Sequence, residues 1–272
     1  MHRTRHAAPA RHRPKFPWRA LRLTVLGFIL VLTGLGAWLS KARTASWQRP
    51  LWVAIYPINA DASAASTRYI AGLGGEAFAP IDAFFSREAA RYRVSLTGPV
   101  ETHLYAAIGE RPPELRANSG PLASMWWSLK LRYWAWRVTH ARDEATPDVQ
   151  VFVLYHDPDR TASVPHSLGL EKGMLGVVYA YAAPRATAPN GIVIAHELMH
   201  TLGATDKYDP ATDEPRFPEG YADPERKPLL PQVRAEIMAG RMVLSGSDWE
   251  MPESLNAVVV GAQSAREIHW QP

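Results

Sequence analysis

Apolar and polar residues follow two periods along this chain, and the switches between them mark out the elements. LWVAIYPI (Leu51–Ile58) is a near-continuous apolar run, the pattern of a strand covered on both faces, and a polar, glycine-containing loop follows it. Ile81, Phe84, Phe85, Glu88 and Ala89 fall at helical spacing within Pro80–Tyr92. Arg93–Leu96 and Glu101–Ile108 read as strands on either side of the turn signal Gly98-Pro99. A long helix is predicted over Leu122–His140, after Gly120-Pro121, and a buried strand over Val149–Tyr155, ended by Asp157-Pro158. Met174–Ala182 reads as a further strand and Ile192–Leu202 as a helix. Beyond them lie an irregular, proline-rich stretch (Tyr208–Pro231) and a short helix around Gln232–Met238. The order β-α-β-β-α-β-β-α predicts one α/β (α+β) domain, a mixed twisted sheet backed by helices. No internal repeat or low-complexity segment interrupts it.

The helix Leu122–His140 carries Trp126, Trp127, Trp134 and Trp136. Trp127, Leu131, Trp134 and Val138 form one stripe, the expected core face. Trp126 and Tyr133 fall beside Lys130 and Arg137 on another face. That face is either the exposed edge of a wide core helix or a surface that rests on a membrane or a partner.

A different pattern precedes the domain. Leu23–Leu39 is a run of 17 residues without a charge, at the short end of what crosses a bilayer core as a helix. Residues 1–22 hold seven Lys or Arg and no acid, and the excess of positive charge places that tail in the cytoplasm and the rest of the chain outside it. Trp18 and Trp38 stand near the two ends, as interfacial anchors do. A cleavable signal peptide is the competing reading. Against it stand the long basic region, the length of the apolar run, and the lack of a small-x-small site before Lys41. The chain therefore divides into a basic tail (1–22), a signal anchor (23–39), a linker (40–50) and a domain (51–272).

Composition sharpens this picture. With 47% apolar and 10% aromatic residues the chain is not disordered, and with no cysteine it has neither disulfides nor thiolate ligands. The formal net charge of +4 is misleading. Ten of the 30 basic residues precede Pro50, so 20 face 26 acidic residues in the remainder, a net of −6. The domain has no case for nucleic acid.

His196-Glu197-Leu198-Met199-His200 is an HExxH sequence behind the apolar run Ile192–Ala195. On a helix, residues four apart share a face, so both imidazoles reach one metal ion. Glu197 lies about 100° around the helix from His196, where it can address a metal-bound water as general base without being a ligand. Gly203 follows three residues after His200 and Asp206 six, giving HELMHTLGATD. Glycine supplies the positive φ with which a helix ends and its chain returns. Chance produces HExxH in about 2% of chains of this composition, and the extended pattern in about one in ten thousand. Met238 comes 32 residues after Asp206, beside another turn at Gly240.

This arrangement resembles the metzincin zinc metallopeptidases, whose HExxHxxGxxH motif is followed by a methionine turn under the metal. Asp206 in the third ligand position is similar to the HExxHxxGxxD variant of snapalysin-type proteases. The resemblance covers about 45 residues. It implies one catalytic Zn²⁺ held by His196, His200 and Asp206, Glu197 as general base, Gly203 as the helix-ending turn and Met238 as the structural Met turn. No tyrosine stands two residues after Met238, so a tyrosine that swings onto the metal is not implied. With two neutral imidazoles and one carboxylate, the site would carry a net +1 and acidify its water less than a three-histidine site. Two other third ligands remain open. Glu219 opens the ExxxD pattern Glu219–Asp223 of gluzincins, although Pro218, Gly220 and Pro224 break the helix that pattern needs. Asp209 is close in sequence but lacks the turn argument.

The sequence thus reads as a membrane-anchored zinc peptidase acting on peptide or protein substrates outside the cytoplasm. The alternatives are a zinc hydrolase of another amide in the cell envelope and a non-enzymatic, membrane-tethered zinc-binding module. Glu197 argues against the last, since a structural metal needs no base.

Overall fold

The computed structural model of the chain describes residues 18, 22–24, 26–28, 31, 46–115, 120–140, 146–170 and 174–270. It forms two units, residues 1–39 and 40–272. Most of the predicted anchor Leu23–Leu39 lies outside the described residues. Among the described residues, no helix is long and apolar enough to cross a membrane.

The second unit is a mixed α/β domain. Its five-stranded sheet consists of β1 (Leu51–Asn59), β2 (Val100–Leu104), β3 (Val149–His156), β4 (Leu168–Leu170) and β5 (Leu175–Tyr181), in the order β2-β1-β3-β5-β4. Every pair is parallel except β4 with β5. The strand side chains alternate between two buried layers, which is why β1 and β3 read as continuous apolar runs. Val53, Ile55, Val151 and Val153 face one layer, together with helices α1 (Ala64–Ala71), α2 (Ala79–Arg91) and the later α4 (Thr187–Thr201). Ala54, Tyr56, Ile58, Phe152 and Leu154 face the other, covered by α3 (Pro121–His140) through Leu131, Trp134 and Ala135. Trp127 and Val138 pack against the same layer, so the predicted stripe is the inner face of α3.

After α4 the chain has little regular structure. Two short pairs organise it: β6 (Ala235–Glu236) parallel to β9 (Val258–Val259), and β7 (Met242–Ser245) antiparallel to β8 (Asp248–Glu250). A last helix, α5 (Ala262–Glu267), closes the fold.

Several elements differ from the sequence expectation. Arg93–Leu96 is not a strand, because these residues terminate α2. Arg93 takes φ +56° and the Val94 N–H donates to the Ala89 carbonyl at 3.0 Å. The expected strand Glu101–Ile108 is shortened to β2, after which Ile108 only bridges Ile58. Gln232–Met238 is not a helix: Ala235 and Glu236 pair with β9, and the Glu236 side chain takes the N–H groups of Met238 and Ala239. The loop after β1 contains α1, capped by Ser63, whose hydroxyl accepts from the Ser66 N–H at 2.9 Å. Helix α4 starts five residues before Ile192, because Pro189 sits in its first turn, where no N–H is needed.

Packing of the domain begins at Trp47, within the stretch 40–50. Its indole is buried, donates to the Ile268 carbonyl at 2.8 Å and meets Trp270 edge-on, which joins the first and last described segments of this unit. Trp47→Ala removes that closure and leaves a cavity, so it is expected to lower unfolding stability by about 3–5 kcal/mol, measured by urea titration of the folded protein.

Candidate metal centre

Helix α4 runs through the first buried layer and carries His196, Glu197 and His200 in its last turns. It stops at Thr201, and Gly203 takes φ +104°. The Gly203 N–H donates to the His200 carbonyl at 3.1 Å and the Ala204 N–H to the Met199 carbonyl at 3.0 Å, which satisfies the helix end as the chain reverses. The reversal returns Asp206 to the helix that preceded it. Its Oδ1 lies 3.3 Å from His196 Nε2 and 3.1 Å from His200 Nε2. Two ligands bound tetrahedrally at about 2.0–2.1 Å stand about 3.3 Å apart, so this spacing fits one small cation between them.

The imidazole orientations fit as well. His196 Nδ1 donates to the Ile237 carbonyl at 2.9 Å, and His200 Nδ1 to the Ala204 carbonyl at 2.8 Å. A carbonyl can only accept, so each Nδ1 carries a proton, and Nε2 is the nitrogen that each ring has left for a metal. Among the described residues, these three side chains form a group that could hold a metal ion. Two imidazole nitrogens and one carboxylate oxygen are a donor set suited to zinc and its first-row neighbours. Burial opposes the charge of Asp206, but the two imidazoles hold its carboxyl well below the usual carboxylate range.

Glu197 is buried on the flank of this group, and its Oε2 has no hydrogen-bond partner among the described residues. Loss of solvent pushes its pKa up, against the pull of His196 and His200. Gly169 of β4 crosses directly over it. A Cβ there would stand 2.5 Å from the Glu197 carbonyl oxygen and 3.2 Å from Glu197 Oε2, so only glycine lets the strand lie this close. Neither β4 nor the need for Gly169 is readable from a three-residue strand.

Met238 is buried in the same core as Ala195, Leu198 and Met199. Its turn is held from below by Glu236, whose Oε2 accepts from the Met238 and Ala239 N–H groups at 2.6 and 2.9 Å. Oε1 accepts from the Gly261 N–H and the Ser264 hydroxyl at 3.0 and 2.8 Å. Full burial pushes the Glu236 pKa up, and these four donors pull the other way. The Ile237 carbonyl that orients His196 is therefore fixed by a carboxylate next to it in sequence.

The loop bearing Asp206 is tied down from a distance. The Lys207 ammonium, buried, donates to the Thr205 carbonyl at 2.6 Å and to Glu267 Oε2 at 2.8 Å. Glu267 also accepts from the Thr205 N–H at 2.9 Å. The two other candidate ligands lie elsewhere. Asp209 is exposed and accepts from the Ala211 N–H at 2.8 Å, and Glu219 lines a separate pocket with Arg91, Tyr92 and Arg266.

A cavity of about 340 Å³ opens beside His196 and Glu197, walled by Val164, His166, Tyr179, Ile192 and Met251. Tyr208, Asp213 and Arg241 also line it, and Arg241 donates to Asp213 at 2.9 Å. The Tyr208 phenol is pushed up to about 12 by burial and by the carboxylates of Asp206, Asp213 and Glu197, so it keeps its proton at neutral pH. Sequence reasoning missed Tyr208, although its place two residues after Asp206 is a usable signal. Asp213 and Arg241 carry none. Compared with protein-family models and with curated proteins, the chain matches none.

Asp206→Ala is expected to weaken zinc binding by more than the roughly 10–100-fold typical of losing a group behind a ligand, while Glu219→Ala leaves it unchanged; zinc content after dialysis against graded chelator measures both. The Glu267 carboxyl is held below its ordinary value: burial opposes its charge, but the Lys207 ammonium and the Thr205 N–H outweigh it. Its stabilising contribution is present above the unfolded pKa of about 4.3 and disappears as pH falls through the lower folded value. Glu267→Gln should therefore be less stable than the parent at pH 6, with the gap in urea midpoint closing below about pH 4.

Proposed function

We propose that the domain is a zinc-dependent peptidase of the metzincin-like kind and that Glu197 is its general base. The observation that carries this reading is a buried carboxylate with one unpartnered oxygen, set beside a three-donor metal group at the wall of a cavity. A metal held for structure alone has no use for such a carboxylate or for an open side.

A zinc ion held by His196, His200 and Asp206 would supply Lewis acidity to a substrate carbonyl and to a water. The chain's own groups do the rest. Glu197 takes a proton from the attacking water and delivers it to the leaving amine, for which its raised pKa is suited. Tyr208, protonated at neutral pH, offers a hydrogen bond to negative charge developing on the carbonyl oxygen. Strand β4 ends the sheet beside the helix, and an extended peptide can lie along such an edge by main-chain hydrogen bonds. That edge favours peptides over other amides in the cell envelope. On this reading Leu23–Leu39 anchors the protein, with residues 1–22 cytoplasmic and the catalytic domain outside.

Glu197→Gln separates base from ligand. The variant is expected to keep zinc near one per chain and to lose peptide hydrolysis by about 10²–10⁴-fold, measured on a peptide library with the purified protein. Hydrolysis that survives the substitution, or zinc lost with it, refutes this mechanism.

A further inference from the structure

Helix α3 is apolar on two opposite sides, and only one of them belongs to the core. Leu122, Met125, Trp126, Leu129, Tyr133 and Trp136 are 48–78% exposed, against at most 5% for Leu131, Trp134 and Ala135 on the inner face. At about 100° per residue, these six side chains fall within an arc of about 100°, opposite the inner face. Cations stand where the two faces meet: Lys130 and Arg137 on one flank, Arg132 on the other. The Lys130 ammonium lies over the Trp126 ring, 5.8 Å from its centre, and Arg137 pairs with Glu110. From Pro121 to His140 there is no acidic residue, although the chain from Pro50 onward has a net charge of −6.

We propose that this outer face lies in the interfacial layer of an anionic lipid bilayer. Indole and phenol rings on a helix favour the headgroup level of a membrane. Lys130 and Arg132 can extend along the helix to reach anionic headgroups while their stems cover the apolar arc. The proposal is independent of the activity assigned to the metal centre. Bilayer contact would set α3 as a second attachment besides any N-terminal anchor.

The chain has no cysteine, so one introduced at Tyr133 places a single environment-sensitive fluorophore on this face. A second, at Ser247 in the exposed turn between β7 and β8, serves as reference. Full-length protein is mixed with phosphatidylcholine vesicles, with or without phosphatidylglycerol, whose acyl chains carry bromine. Flotation alone would report the N-terminal segment, whereas the fluorophore reads α3 itself. Quenching at position 133 and not at 247, stronger with phosphatidylglycerol, is the expected result. Lys130→Gln should lower the ratio of bilayer-bound to free fluorophore about fivefold. Equal exposure at 133 and 247 overturns the proposal. So does quenching indifferent to lipid charge, or shielding of position 133 that grows with protein concentration in the absence of lipid, which would mark the face as a contact between proteins.

Discussion

The structure turns on how two histidines of one helix are made to present the same nitrogen to the same point. Helical spacing brings His196 and His200 to one face, but it does not choose between Nδ1 and Nε2. That choice comes from two carbonyl oxygens, Ile237 for one ring and Ala204 for the other. Each carbonyl in turn needs its own support. Ala204 is held by the end of α4 itself, where Gly203 at positive φ reverses the chain. Ile237 is held by Glu236, a carboxylate that is wholly buried and spends both oxygens on backbone and hydroxyl donors. A buried carboxyl needs such a full set of partners, so Glu236 also pins α5 and the chain around Gly261 beside the candidate metal group.

The sheet contributes position more than chemistry. Its parallel strands are apolar on both faces, which commits α4 to one layer and α3 to the other. The antiparallel strand β4 then closes over α4 at Gly169, close enough to exclude any side chain there. Glu197 is thereby cut off from water on one side and left open toward the cavity on the other. Burial raises the pKa of Glu197 and of Tyr208 alike, and both side chains line one opening.

Helix α3 is apolar on two opposite sides. Its inner stripe is what the sheet requires, and replacing its outer aromatics with polar residues would leave that packing untouched. Their presence beside Lys130 and Arg132 therefore asks for a second apolar phase, which the proposed bilayer contact supplies without involving the metal centre.

Wherever a requirement is local, the sequence alone determined it. The buried strands β1, β3 and β5, the helices α2 and α3, and the triad of HExxH, Gly203 and Asp206 all arise from spacing within one or two turns of chain. For the same reason the inner stripe of α3 was legible as a period of apolar residues. Tertiary structure decided what depends on partners distant in sequence. Gln232–Met238 has helix-forming residues but pairs with β9 instead, whereas Arg93–Leu96, with strand-like residues, is taken up by the local end of α2. Short elements such as α1 and β4 lack enough residues to set a period. The tie from Lys207 to Glu267 spans 60 residues, and the Ile237 carbonyl reaches His196 across 41. No periodicity encodes such pairs, because a hydrogen bond is satisfied by whichever donor the folded chain brings within about 3 Å, regardless of sequence distance.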